Sequence, residues 1–393
     1  MRPIKPRLTE IFTLNGINEE NLSESQGVYI ASYFELRQEI AKLACANPDF
    51  MIFYRGQKLD YSDSLYRKGG SSFFPSIYRG VISEQTLRVR WYRLNIACKL
   101  FVDSLKSYHK TLPKRSYERK ELELVIKKRL LQWSLLQHYE VTETPLLDVT
   151  QSLRVACSFA FLDSTEEFNY IYVFALPYNT GRISINSEHY LTNIRLISIA
   201  PSGSLRPHYQ EGFLVGEDEI NDTDYKNKTL DFRRRLIGKF KIPNNPGFWT
   251  YHNDIDENFK EISLTKKELY PDLDNISDRI AEICVSIKNK LENLPKENFN
   301  YNVSSIEQFL DIWRQIEGLL RDIYGMSQSN FNFTAMRGIK LINNDELKNR
   351  LNSLRRWRNQ FIHGSYNEDE LNEKVFESNL IYKELLEYTC HIS

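Results

Sequence analysis

Leu146-Leu147-Asp148-Val149-Thr150-Gln151-Ser152 runs directly into Leu153-Arg154-Val155-Ala156-Cys157-Ser158-Phe159-Ala160-Phe161-Leu162. Leu146, Leu147 and Val149 make a short apolar run broken by Asp148 and Thr150, which predicts a strand with polar groups at its exit. Ser152 has the side-chain oxygen that an N-cap needs, so a helix starts at Leu153. That helix is apolar around most of its circumference and is therefore expected inside the fold. Burying a hydroxyl or a carboxylate without a partner costs about 1–3 kcal/mol. Asp148, Thr150 and Ser152 must then have partners, in the protein or in a ligand.

Outward from this stretch, Ser25 to Ala46 reads as a helix, and Phe50-Met51-Ile52-Phe53-Tyr54 as a strand ending at Arg55-Gly56. Apolar residues from Leu87 to Tyr108 and from Leu122 to Leu136 recur in steps of three and four, predicting two long helices, the second over Glu118 to Gln137. Three β-type runs follow, Tyr170 to Leu176, Arg182 to Ile185 and Arg195 to Ile199, bounded by Pro177, Gly181 and Pro201. Such short runs imply an antiparallel or mixed sheet. From Ile276 the texture is helical only, with four apolar stripes: Ile280 to Leu291, Ile306 to Ile323, Leu347 to Phe361, and Leu371, Val375, Leu380, Leu385 and Leu386. The expected architecture is α+β: a sheet domain with long helices over 1–275, and a four-helix bundle over 276–393.

Lysine plus arginine equals aspartate plus glutamate at 52 each, so net charge predicts no general attraction to nucleic acid, and any contact has to be a local patch. The five cysteines have no CxxC spacing, so neither a zinc site nor a disulfide framework is indicated, and no His, Asp or Glu cluster has metal-ligand spacing. No glycine-rich phosphate fingerprint is present. With no apolar leader and no run of about 18 apolar residues, a cytoplasmic protein without a membrane partner is expected.

Several blocks in order resemble the FRG family: Phe53-Tyr54-Arg55-Gly56-Gln57, Phe74-Pro75-Ser76-Ile77-Tyr78-Arg79, Gln137-His138-Tyr139, Leu146 to Thr150, then Arg206, Gln210 and Gly212, and Glu268 to Asp274. The resemblance departs at Pro145, where the family usually carries an arginine. Whatever that arginine does in the family is either missing here or supplied by Arg154 or Arg206. The order of arginine, hydroxyls and a late acid or amide is similar to the NAD site of ADP-ribosyltransferases. By that analogy Arg55, Gln57, Asp148, Thr150, Ser152 and Arg206 bind a cofactor, and Gln210 or Glu211 serves catalysis. Arginine suits a diphosphate, and Gly56 leaves the backbone open for close approach to a ligand. The alternatives are a non-catalytic pocket, or purely structural roles such as Arg55 paired with Asp148 and Ser152 as a plain cap. His138, beside Tyr139, reads as a packed histidine or as part of the cleft wall.

Arg355-Arg356-Trp357-Arg358-Asn359-Gln360-Phe361-Ile362-His363-Gly364 resembles the arginine–polar–histidine motif of HEPN domains. That resemblance implies a metal-independent ribonuclease with Arg358, Asn359 and His363 in catalysis, needing no cofactor. On one helix, five steps of about 100° turn Arg358 and His363 roughly 140° apart. Pairing two copies around a twofold axis closes such a site, so a homodimer is expected. Both resemblances point to prokaryotic conflict systems. The implied reading is a toxin or anti-phage effector that cuts RNA, controlled by an antitoxin or a phage-derived activator. The alternatives are an ADP-ribosyltransferase using NAD, or a ligand sensor without catalysis.

Overall fold

The computed structural model of the protein describes residues 1–62, 70–80, 84–218, 230–250, 263–271, 278–292, 309–320, 323, 339, 342–362 and 368–390. They fall into two compact units, Met1–Leu291 and Glu292–Ser393.

The first unit is laid on one eight-stranded sheet. Its strands are β1 (Val28–Tyr29), β2 (Met51–Gln57), β3 (Leu147–Thr150), β4 (Phe168–Leu176), β5 (Ile183–Asn186), β6 (Leu191–Ile194), β7 (Gly212–Gly216) and β8 (Leu236–Pro243), in the order β1-β8-β4-β2-β3-β7-β6-β5. The β1–β8 pair is parallel and the others are antiparallel, so the sheet is mixed, as its short punctuated runs imply. Ile171 to Leu176 of β4 are buried without alternation, which marks a central strand covered on both faces. Aromatic rings fill one side: Phe53 meets Phe213 edge-on at 5.1 Å, and Phe73 meets Tyr172 at 4.6 Å and Phe174 at 5.0 Å.

Around the sheet lie α1 (Glu10–Leu14), α2 (Tyr33–Ala46), α3 (Glu84–Thr111), α4 (Tyr117–Lys127), α5 (Arg129–His138), α6 (Leu153–Phe161), α7 (Leu205–Tyr209), α8 (Lys266–Leu269) and α9 (Arg279–Glu292). Three expectations need correction. The helix expected from Ser25 starts at Tyr33 behind its cap Ser32. Gly27, at φ +79°, instead turns Val28 and Tyr29 alongside β8. The single helix expected over Glu118 to Gln137 breaks at Lys128, where Gln132 Nε2 donates to the carbonyls of Val125 (3.1 Å) and Ile126 (3.0 Å) that a continuous helix would have used. The run Arg195 to Ile199 is not a strand. Ala200 N–H closes a turn onto Leu196 O at 2.8 Å just before Pro201, and the strand is Leu191–Ile194.

Helix α6 behaves as its sequence implies. Ser152 Oγ accepts from Val155 N, and Val155, Ala156, Cys157, Ser158 and Ala160 are buried. It crosses β2 so closely that a Cβ built on Gly56 would stand 1.7 Å from the Ala156 carbonyl oxygen. The close approach that Gly56 permits is therefore made by the protein's own helix rather than by a ligand.

In the second unit, helix 309–320 buries Phe309, Trp313, Ile316 and Leu320, Asp345–Ile362 buries Leu347, Leu351, Leu354 and Trp357, and Glu368–Cys390 buries Leu371, Val375, Ile381 and Leu385. Leu380, expected in that last stripe, is 41% exposed because Ser378 and Ile381 occupy the inward positions. The helix expected first in this bundle, α9, belongs to the first unit. Asp278, just ahead of it, accepts from Tyr139 Oη and from Leu205 N, and Arg279 lies over the Tyr108 ring. The division therefore falls after Leu291, not at 275. Among the described residues no helix is long and apolar enough to cross a membrane.

The packing of α6 on Gly56 gives a sharp test. Gly56→Ala should destabilise the protein by about 3 kcal/mol or more, since the obstructing atom is backbone. A Cβ added at Gly318, inside a helix, would meet nothing within 4 Å, so Gly318→Ala should instead stabilise by about 0.5–1 kcal/mol. Urea midpoints of the two variants should therefore move in opposite directions.

Candidate functional site

β2 pairs with β4 along its whole length, from Met51 to Gln57, but meets β3 only at Tyr54–Thr150. Past that pair the two neighbouring strands part, and the Arg55 side chain bridges the gap. Its Nη1 donates to the main-chain carbonyl of Asp148 at 2.6 Å. Within this split opens a cavity of about 1060 Å³, walled by Tyr54 to Lys58 on one side and Leu147 to Thr150 on the other.

The polar floor is built from four separate parts of the sequence. Asp148 is the central carboxylate, with Gln137 Nε2 donating to Oδ2 at 2.7 Å and His138 Nδ1 3.5 Å from Oδ1. Gln137 is itself aimed: its Oε1 accepts from Ser76 Oγ (2.9 Å) and Thr144 Oγ1 (2.8 Å), which leaves its amide nitrogen for Asp148. Burial works against the Asp148 charge. The hydrogen bond and charge of His138, the charge of Arg55 and the Gln137 bond outweigh it, and the carboxyl stays below its ordinary pKa. Burial and then the neighbouring Arg79 bring the Arg55 guanidinium down to about 10, partly offset by Asp148. Arg79, anchored through Nε to Phe74 O at 3.0 Å, is lowered by burial as well. Over the whole wall Arg55, Lys58, Arg79 and Arg93 stand against Glu140, Glu143, Asp148 and Asp163, so the cationic character is local to the end where Arg55 and Arg79 are neighbours. Two adjacent guanidiniums suit an anion there.

Several buried polar atoms on the wall have no hydrogen-bond partner among the described residues: Arg55 Nε, Gln57 Oε1, Arg93 Nε and His138 Nε2. Groups of this kind cost free energy when left unmet, and water or a bound polar molecule can satisfy them. Gly212 keeps His138 in place, since a Cβ there would lie 2.9 Å from the imidazole Cε1.

The cavity gathers Arg55, Gln57, Asp148, Thr150 and Gln210 of the residues singled out in the sequence. Thr150 and Gln210 arrive already engaged. Thr150 Oγ1 donates to Glu211 O and accepts from Ser152 N, both at 3.1 Å, and Gln210 Nε2 donates to Leu269 O at 2.7 Å. Ser152, Arg206 and Glu211 are not on the wall. Ser152 is the cap of α6. Glu211 takes a left-handed turn at φ +44° with its carbonyl held by Thr150. Arg206 is buried with its guanidinium 5.1 Å from the Tyr139 ring centroid and 4.8 Å from that of Tyr270, and donates to His138 O, so it braces the wall from behind. The arginines that add charge to the cavity are Arg79 and Arg93, not Arg154 or Arg206. Arg79, Gln137 and His138 stood in the quoted blocks. Only their convergence on Asp148 gives them a common role.

On the helix Asp345–Ile362, Arg358 is half-buried and donates through Nη1 to Asn359 Oδ1 at 3.3 Å, while His363 lies outside the described residues. Leu351, Leu354 and Trp357 are buried on the same helix.

Residues 51–168 match the FRG domain family. The blocks from Phe53 to Thr150, and with them the cavity's Arg55, Arg79, His138 and Asp148, fall inside that match, whereas Arg206, Gln210 and Gly212 lie beyond it. No curated protein and no solved structure matches the chain.

The Asp148 environment predicts an acid dependence. Its carboxyl titrates lower in the folded than in the unfolded chain, so it contributes stability above about pH 4 that is lost as pH falls through the folded value. Asp148→Asn should be less stable than the parent at pH 7, and the gap should narrow at pH 3. Urea unfolding at the two pH values measures it, and a gap that stays constant contradicts the assignment.

Proposed function

We propose that this chain is a two-module effector of cellular defence. The FRG-containing unit binds a nucleotide in the β2–β3 cavity, and the C-terminal helical unit cuts RNA as a homodimer in the cytoplasm. The observation that carries the first half is the pair Arg55 and Arg79, neighbours at one end of a cavity whose wall also holds the carboxylates of Glu140, Glu143, Asp148 and Asp163. Aromatic side chains on the same wall, Tyr54, Phe74, Phe159 and Tyr270 among them, suit the flat face of a base.

The second half rests on the sequence from Arg355 to His363. RNA cleavage by attack of the 2′-hydroxyl needs a base for its proton and a cation for the charged phosphorane. Histidine supplies the first, worth about 10²–10⁴ in rate, and arginine the second. The roughly 140° offset of Arg358 from His363 on one helix calls for two copies. A toxin role, held in check by an antitoxin or released by a phage-derived activator, follows from this division of labour. Transfer of ADP-ribose from NAD is the second reading, favoured by the ionised Asp148 on the cavity wall. With Glu211 off that wall, this reading assigns Asp148, held by Gln137 and His138, as the carboxylate that faces a positively charged sugar.

Arg55→Ala should weaken binding of ADP or NAD by about 1–3 kcal/mol and, because the Asp148 carbonyl loses its donor, also lower the melting temperature, so binding is compared where the variant is folded. Calorimetry on the full chain that detects no nucleotide at millimolar concentration removes this reading. His363→Ala should abolish RNA cleavage and leave the dimer intact, and a chelator should change nothing. Purified dimer that leaves tRNA, mRNA and rRNA whole removes the nuclease half.

A further inference from the structure

We infer that Gln57 is the specificity-determining residue of the cavity, reading a sugar hydroxyl on a ligand whose phosphate rests on Arg55 and Arg79. The inference depends on the nucleotide-binding reading of the same cavity and narrows it to one contact.

Arg55 and Gln57 are two positions apart on β2, opposite Tyr172 and Tyr170 of β4, so both project from one face of the strand. Their Cα atoms are separated by about 6.8 Å, two strand steps. The two side chains have complementary needs. Arg55 brings positive charge and a buried Nε without an acceptor, and Gln57 brings a buried Oε1 without a donor. A ligand that satisfies both carries an anion at one end and an O–H or N–H about one strand repeat away. Inorganic phosphate and pyrophosphate fill the cationic end only. A nucleoside diphosphate has both features in one molecule, since its ribose hydroxyls lie beside the phosphate chain.

The surroundings favour a hydroxyl that is held tightly. Tyr61 and Lys58, also on the wall, flank the Gln57 end, and Asp60 between them is fixed by Tyr172 Oη (2.8 Å), Ser71 Oγ (2.6 Å) and Lys239 Nζ (2.6 Å). Lys239 is fully buried, so the segment that follows Gln57 is pinned to the sheet at Asp60, which Ser71 also holds. An acceptor on so fixed a support discriminates by hydrogen bonding, because removal of the donor leaves the acceptor buried and unmet.

The test is a binding cycle on the full-length protein. Affinities for pyrophosphate, ADP, 2′-deoxy-ADP and 3′-deoxy-ADP are measured by calorimetry for the parent and for Gln57→Met, with melting curves to confirm folding. The parent should bind ADP more tightly than pyrophosphate and lose about tenfold in affinity on removal of one of the two hydroxyls. Gln57→Met should bind ADP about tenfold more weakly, and the penalty for that missing hydroxyl should disappear. If Gln57→Met fails to fold, the parent's ranking of the two deoxy analogues still decides. Equal affinity of ADP and both analogues for the parent overturns the inference. So does a penalty that persists in Gln57→Met. In both of those cases nucleotide binding stands. If neither ADP nor pyrophosphate binds at millimolar concentration, the inference falls together with the nucleotide reading.

Discussion

The Arg55 guanidinium lying against the Asp148 carbonyl, where β2 and β3 separate, is the contact on which the first unit's cavity depends. A sheet that splits leaves main-chain groups without their ladder partners, and each such group costs free energy if buried unmet. Arg55 Nη1 supplies the missing donor at 2.6 Å and holds the gap open at the same time. The side chain that keeps the strands apart is also the one that brings charge into the space between them. The separation of the strands and the charge in the gap are here properties of a single residue.

Keeping charge in such a place requires partners. Arg55 and Asp148 are part-buried and Arg79 lies at the exposed rim, and burial disfavours the charge of each. Their coexistence is a product of the shell around Asp148. Ser76 and Thr144 fix the Gln137 amide, Gln137 and His138 face the carboxylate, and Arg206 braces His138 through its carbonyl oxygen. Networks of this kind are rigid when complete, and the atoms left unmet point to where a ligand would finish them.

Helix α6 sets the other boundary. Its start is fixed by Ser152, and its depth by Gly56, whose missing side chain lets the Ala156 carbonyl come down onto β2. The same strand therefore presents Arg55 and Gln57 to the cavity and Gly56 to a helix. That follows from the two-residue alternation of a strand.

Local chemistry determined much of this protein on its own. The capped, apolar run after Ser152, the amphipathic seam of α3, the short punctuated strands and the helical texture after residue 276 are patterns of neighbouring residues, and among the described residues they became the elements they implied, except that Arg195 to Ile199 is a turn and α9 joined the first unit. Arg55 and Asp148 could be singled out because polar groups at the end of an apolar run need a reason, and Gln57 only through the family resemblance. Tertiary structure decided the rest. The break at Lys128 depends on a Gln132 side chain reaching back to free carbonyls, and the pairing of β1 depends on β8, more than two hundred residues away. Ser152, Arg206 and Glu211 looked equal to Arg55 in the sequence, because type and order say nothing of which direction a side chain takes. One became a cap, one a brace between two tyrosine rings, and one turned away with its carbonyl held by Thr150. Arg79 and His138 acquired their place only when distant segments met at Asp148, since the electrostatic balance of a cavity is set by separations in space, which no linear spacing encodes.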